Sequence, residues 1–331
     1  MQSSMSLEDI AEAMKTFPGL TRKRAIHEIV DLLPVDRFPR VAAARGEDAA
    51  AIEHGDGYIL LSTDGIMESL VESDPFLAGY YAVLVNVNDI AAMGGNSLAM
   101  VDVMSMSEGR ICREILRGLE YGVKKFDVPI VGGHTHPDCV YHAIDVAIIG
   151  EVPRNDIILS STACTGDDVV FVMDLDGFYP ESVPYSWNST FRKDPSYVQA
   201  QMAMLPKLAS EHLVHSGKDL SNPGTVGTLA MMLETSCKGA AVDMDLIPMP
   251  EKERDLIHWN LAYQGYGFVF SCAPENSQRV IDMFAEVGCD GAVAGTVTND
   301  NKLTISSGDE KIELFDFTKD IITGCGPEKK L

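Results

Sequence analysis

Four carboxylates sit at the edges of apolar segments, where folding can bring them together. Glu47 and Asp48 stand in Gly46-Glu47-Asp48-Ala49-Ala50, just ahead of an apolar run, and Asp64 ends the next run in Ser62-Thr63-Asp64-Gly65. Asp89 lies inside the most apolar stretch, Asn86-Val87-Asn88-Asp89-Ile90-Ala91-Ala92-Met93-Gly94-Gly95. An Asp in such a setting is costly unless a partner or a metal neutralises it. Hard oxygen donors suit Mg²⁺, which joins carboxylates to substrate phosphates. Carboxylates converging on Mg²⁺ would let an acidic protein hold a triphosphate. Taken singly, each also has an ordinary role: Asp64 as a turn residue, Asp48 as a cap, Asp89 bonded to Asn86 or to backbone.

Other chemistries find less support. The chain has no Gly-x4-Gly-Lys-Ser/Thr loop, no Gly-x-Gly-x-x-Gly opening a helix and no Gly-x-Ser-x-Gly elbow. These absences set aside the usual P-loop, dinucleotide-binding and hydrolase arrangements. His134, His136, Cys139 and His142 lie within nine residues and have the types of a soft-metal site. Alternation along a strand entered at His142 would separate them.

The elements that must position these residues follow from pattern and punctuation. Ser6 with Asp9 reads as a capping box opening a short helix, Pro18-Gly19 stops it, and Thr21 to Leu33 forms a second helix ending at Pro34. Ala49 to His54 and Tyr58 to Thr63 flank a Gly55-Asp56-Gly57 turn and predict a hairpin. Phe76 to Met93, apolar nearly all round, predicts a buried helix ending at Gly94-Gly95. A strand (98–105), a helix (110–126) and strands at 129–131 and 141–150 complete a first α/β unit. The Ser/Thr-rich connector 153–166 marks the boundary, dividing the chain into 1–155 and 156–331. The second unit is expected to hold a strand at 168–175, a polar loop at 179–195 and helices near 197–216 and 226–235. A strand at 267–272, a helix at 277–287 and closing strands near 292–297, 303–306 and 312–315 follow. Trp187 and Asn188 read as part of a surface loop.

With 331 residues, 46% apolar and 23% charged, the chain has the composition and length of a two-domain globular protein. The net charge of −23 divides as −10 over residues 1–155 and −13 over 156–331, with no broad basic face to hold nucleic acid. No apolar run is long enough for a membrane helix, and the N-terminus lacks a basic start and a secretory core. Seven irregularly spaced cysteines fit reduced thiols, so a cytoplasmic location is expected.

In their order, Gly46 to Ala50, Ser62 to Gly65, Asn86 to Gly95, Gly132 to Thr135, Gly224 to Ala240 and Gly265 to Phe270 resemble a known superfamily. It comprises aminoimidazole ribonucleotide (AIR) synthase, thiamine-monophosphate kinase, selenophosphate synthetase and the hydrogenase maturation dehydratase. Within it the chain most resembles the methanogenesis marker protein 2 group. The resemblance implies a two-domain α/β (mixed α+β) protein, homodimeric through an N-terminal domain whose strands form a shared β-barrel. It implies ATP between the domains and Mg²⁺ on Asp48, Asp64 and Asp89. Asn86, Gly94 and Gly95 would shape the nucleotide cleft, and amide-rich turns at Gly94-Gly95 and Gly132-Gly133 would contact the nucleotide or acceptor. His134 and Thr135 would touch phosphate or position the acceptor, and Arg22-Lys23-Arg24 would either close over the triphosphate or form a solvated basic face on the second helix. The implied activity is ATP-dependent phosphoryl transfer to, or activation of, an unidentified small molecule. The alternative is a nucleotide-binding assembly or regulatory protein without turnover.

Departures narrow the choice. His134 replaces the Asp that follows Gly-Gly in thiamine-monophosphate kinase. Leu220-Ser221-Asn222-Pro223-Gly224 replaces that kinase's Asp-Ile-Ser-Asp-Gly, which reads as the loss of two acidic ligands. The first cysteine is Cys112, so the N-terminal reactive Cys of selenophosphate synthetase has no counterpart. Cys325 is followed by Gly326 to Leu331 and has no assigned role.

Overall fold

The computed structural model describes residues 6–33, 35, 38–106 and 109–326. Ser6 caps the helix Leu7–Thr16 through the expected box: its hydroxyl accepts from the Asp9 N–H at 3.2 Å, and its own N–H donates to the Asp9 carboxylate at 3.1 Å. Pro18 opens a further short helix, Pro18–Thr21, at a position where a missing N–H costs nothing. Pro34, the expected end of the next helix, lies outside the described residues.

The first sheet holds β1 (Val41–Ala43), β2 (Ala50–His54), β3 (Gly57–Gly65), β4 (Asn96–Ser105), β5 (Ile130–His136) and β6 (Ala143–Pro153), in the order β1-β2-β3-β6-β4-β5. The hairpin stands as expected, with β2 and β3 paired from His54↔Gly57 to Ala50↔Leu61. Helices Pro75–Ala92 and Arg110–Phe126 cover one face, burying Leu60, Met100, Val146 and Ile148 of the sheet against Tyr80, Val83, Val87 and Ile90. The two helices cross on glycines. A Cβ on Gly118 would lie 2.0 Å from the Phe76 carbonyl oxygen, and one on Gly79 would lie 2.2 Å from that of Ile115. The opposite face is open, with Leu61, Val101, Val103, Val131 and Ile149 each at least 40% exposed.

The second domain contributes β7 (Asp168–Met173), β8 (Ser186–Trp187), β9 (Ser216–Asp219) and β10 (Gly239–Asp243). It continues through β11 (Tyr263–Gln264), β12 (Gly267–Cys272), β13 (Asp290–Thr298), β14 (Lys302–Ser307) and β15 (Glu310–Asp316). Seven of these form a sheet in the order β15-β14-β10-β13-β7-β12-β9, while β8 and β11 pair apart from it. Alternation along β7 serves two cores. Val169, Phe171 and Met173 face the helix Thr225–Ser236 on one side. Val170 and Val172 face Met204–Ser210 and Pro274–Ala285 on the other. The opening helix, through Leu7, Ile10 and Met14, packs into the first of these cores. Ala91 and Ala92 of the long first-domain helix enter the second, so that helix lies between the two sheets.

Both sheets are open within the chain. Two expectations need correction. Trp187 and Asn188 are buried, because the indole N–H donates to the Asp174 carbonyl at 2.9 Å and the Asn188 amide donates to the Tyr81 hydroxyl at 3.0 Å. The first bond ties the segment to its own domain, and the second makes it part of the contact between domains. Gly132 and Gly133 form no turn, since β5 runs through them to His136 in parallel with β4. Among the described residues no helix is long and apolar enough to cross a membrane.

Candidate functional site

Asp48, Asp64 and Asp89, expected to act together, line one cavity of about 480 Å³ between the domains. Three local features deliver them. Asp48 precedes β2 in a turn whose Gly46 has φ +75°. Ser62 and Asp64 lie two apart on β3 and so point to the same face, toward the long helix. Asp89 projects from that helix and accepts a hydrogen bond from the Ser62 hydroxyl. Arg22 and Lys23 of the opening segment line the same cavity.

The second domain supplies what sequence reading missed. Asp219 ends β9, and its carboxylate, with those of Asp48 and Asp89, forms a set whose oxygens all lie within 4.8 Å of one another. The apparent loss of two acids is therefore corrected: Asp219 stands immediately before Leu220 and supplies one, while Asn222 also lines the cavity. Lys218, beside it, forms an ion pair with Asp48 in which both side chains are 7% exposed, and also donates to the Gly46 carbonyl at 3.2 Å. Nothing in the pattern Ser216-Gly217-Lys218-Asp219 signals a strand. It has no apolar alternation, yet all four residues are buried against β12 and the first-domain helix.

Crowding acids away from water has the expected electrostatic result. Burial raises Asp89 well above the usual carboxylate range, and Asp64, Asp219 and Asp48 push it further. Burial likewise lifts Asp219, to about 8, with Asp48 adding to the rise and Lys218 opposing it. Asp48 is raised by burial against the pull of Lys218. Asp64 is open to the cavity, yet lost hydration raises it too, opposed chiefly by Lys23. A cluster this costly to ionise is a cluster that a cation relieves, and its donors are hard oxygens of the kind Mg²⁺ takes.

The cavity offers polar contacts besides the acids. Asn88 is 2% exposed, donates to the Gly265 carbonyl at 3.2 Å and leaves Oδ1 without a hydrogen bond. Tyr81, Ser186 and Tyr263 stand nearby on the wall. Thr323 and Cys325 close another side, held there because the buried Glu234 carboxylate accepts from the N–H groups of Ile322 and Thr323 at 2.9 and 2.8 Å.

The remaining predicted positions lie apart from this wall. Asn86 is wholly buried one helical step from the cavity, donating to the Ala82 carbonyl at 2.9 Å. Gly94 and Gly95 serve close packing, where a Cβ would lie 2.5 Å from Ala209 Cβ and 2.4 Å from Leu60 Cδ1. Gly132, Gly133, His134 and Thr135 lie on the edge strand β5. His134 pairs with Val103 in register and so belongs to the open face of the sheet, its ring 4.6 Å from that of His136. Among the described residues, His134, His136, Cys139 and His142 do not converge into one set of metal ligands.

Comparison with known proteins gives a consistent picture. Residues 46–152 match the family described as AIR synthase related protein, N-terminal domain, and residues 170–307 match the corresponding C-terminal domain. An uncharacterized protein of Methanocaldococcus jannaschii is 43% identical over 325 residues, which cover 97% of this chain and 100% of that one. T. maritima PurL complexed with ATP superposes with a TM-score of 0.71 at 17% identity, over 90% of this chain and 50% of that chain. This chain thus spans about half the length of PurL. AaThiL complexed with AMPPCP and TMP superposes with a TM-score of 0.62 at 17% identity, over 87% and 96% of the two chains. At these identities the structures share the fold.

Proposed function

The chain belongs to the AIR synthase related family, and from that premise we propose that it binds Mg·ATP between its domains and uses it in phosphoryl transfer to, or activation of, a small molecule. The observation that carries this reading is the convergence of Asp48, Asp89 and Asp219, drawn from both domains, within 4.8 Å in a cavity large enough for a nucleotide. Solved neighbours of this fold carry ATP or its analogue AMPPCP.

In this reading Asp48, Asp64, Asp89 and Asp219 hold Mg²⁺, which when bound neutralises phosphate charge and favours departure of the leaving oxygen. The rest of the work belongs to the protein. Arg22 and Lys23 face the acids across the cavity and offset the charge of a triphosphate. Asn88 has an unpartnered acceptor for a nucleotide or acceptor N–H or O–H. Enclosure between two domains excludes water, so the polyphosphate competes with few solvent dipoles. Catalysis of this type is mainly positioning and charge neutralisation, and it needs no side-chain nucleophile.

The chain acts, we further propose, as a homodimer joined through the open face of the first sheet. The five exposed aliphatic residues of that face support the arrangement. A protein that binds nucleotide without turnover is the second reading. It is favoured by Lys218, whose ammonium already neutralises Asp48.

Purified protein given ATP and Mg²⁺ should form ADP, and Asp64→Asn should reduce that rate by at least ~100-fold, as loss of an electrostatic stabiliser does. Equal turnover in the variant would remove the assignment of the acid cavity. Nucleotide binding without ADP formation across a broad set of acceptors would favour the second reading.

A further inference from the structure

A second cluster of ligating side chains lies outside the acid cavity, where the connector between the domains meets the start of β9. Cys164, Asp167 and His215 each place a donor atom (a sulfur, a carboxylate oxygen, an imidazole nitrogen) within 4.8 Å of the other two. None of the three lines the cavity. We infer that these residues form a binding site for one zinc-class divalent cation.

The donor set is the first reason. A thiolate, an imidazole and a carboxylate together match borderline-soft Zn²⁺ and poorly match Mg²⁺ or Ca²⁺, which take oxygen alone. Geometry is the second. His215 Nδ1 stands 2.9 Å from Asp167 Oδ1. Two donors in a tetrahedral shell with bonds of about 2 Å lie roughly 3.3 Å apart, so little movement is needed to admit an ion.

The third reason is that the scaffold is already built. Asp167 is buried, and its Oδ2 accepts from the Cys164 N–H at 2.9 Å and from the Ser271 hydroxyl at 2.8 Å. The backbone of His215 is held on both sides: its N–H donates to the Ser271 carbonyl at 2.8 Å, and its carbonyl accepts from the Thr162 hydroxyl. Cys164 Sγ, directed toward the Thr162 carbonyl at 3.6 Å, belongs to an exposed residue that an ion can reach. A ligand set fixed by hydrogen bonds of its own is what tunes and orients metal sites. Binding would replace the thiol proton of Cys164, released to solvent, by the cation. It would also displace the proton that His215 Nδ1 shares with Asp167: a neutral ring takes its Nε2–H tautomer, and a protonated ring loses its second proton to solvent.

Three protein ligands leave the fourth tetrahedral position open to water or an exogenous ligand, so the ion would be exchangeable. The site also has leverage on the acid cavity. Four residues before Cys164, Ser160 donates through its hydroxyl to Glu47 at 2.7 Å. Three residues after His215 comes Lys218, followed by Asp219. A cation here ties together the two segments that flank the acid cluster.

The test uses chelator-treated full-length protein, titrated with Co²⁺ in excess Mg²⁺, followed by back-titration with Zn²⁺. One equivalent of Co²⁺ should produce a near-ultraviolet thiolate charge-transfer band that Zn²⁺ abolishes. Cys164→Ser and His215→Gln should each eliminate the band and weaken Zn²⁺ binding by ~100-fold or more in competition with a chromophoric chelator. Asp64→Asn should leave it unchanged, which separates this site from the proposed nucleotide site. Absence of the band, or its persistence in either Cys164→Ser or His215→Gln, would overturn the assignment. Circular dichroism of the two variants, expected to match the wild type, excludes unfolding as the cause of a loss.

Discussion

Lys218 gives Asp48 a counter-ion when no metal is bound, and this sets the cost of every change nearby. Both partners are buried, so the pair has already lost most of its hydration. Replacing Lys218 by Met keeps the volume and removes the ammonium. Asp48 is then left among Glu47, Asp89 and Asp219 without its nearest positive charge. Breaking a buried pair in this way costs about 3–5 kcal/mol. If the acids form a Mg²⁺ site, the cation can take the place of the ammonium. Lys218→Met should therefore be markedly destabilised in chelator, by urea denaturation, and recover about 2–3 kcal/mol in Mg²⁺ well above its dissociation constant. The wild type should gain less, because there Lys218 competes with the ion for Asp48. Equal Mg²⁺ dependence in the two proteins would show that the ammonium and the cation do not share a site.

Among the elements, the helix Pro75–Ala92 does most to assemble the cavity, since it carries Tyr81, Asn88 and Asp89 between the two sheets. Its seat is set by the glycine crossing with Arg110–Phe126. Gly79→Ala adds a methyl that would sit 2.2 Å from the Ile115 carbonyl and 2.9 Å from the Leu119 nitrogen, both backbone atoms. Helix propensity favours Ala over Gly by about 1 kcal/mol, but overpacking against rigid backbone costs about 1–3 kcal/mol or more. The substitution should lower stability on balance, read as a lower urea midpoint with unchanged slope. A higher midpoint would show that the crossing relaxes freely. This helix was legible in the sequence because it is apolar all round, and the β2–β3 hairpin was legible from its glycine turn. Strand β9 was not. Its four residues are small or charged, and tertiary packing rather than pattern buries them, so no local signal marks Asp219 although it directly precedes Leu220-Ser221-Asn222-Pro223-Gly224. The same limit hid Cys164 and His215, which lie 51 residues apart in sequence. The glycines and histidine of β5 were legible as a motif, but their strand geometry and the placement of His134 on the open face were not.

For the whole molecule, the question is what covers the open face of the first sheet. β3, β6 and β4 align its side chains in rows, with Leu61 opposite Ile149 and Val101 opposite Ala147. The other face of the same sheet is filled by the two crossed helices, so this chain has no element left for it among the described residues. Contiguous exposed aliphatic surface of this kind marks an interaction site, and a two-fold dimer that buries the same patch of both copies is the commonest way a soluble protein hides one. Sedimentation equilibrium should accordingly give twice the chain mass of 36.0 kDa. Val101→Arg places a charge at the centre of the patch, where burial in a dimer would leave it unpaired and cost several kcal/mol. In the monomer the same side chain reaches solvent, so the fold should survive. The expected result is a folded monomer, with wild-type circular dichroism and half the wild-type mass. A monomeric wild type would refute self-association. A Val101→Arg variant that remains dimeric would move the interface elsewhere and leave the open face to a different partner.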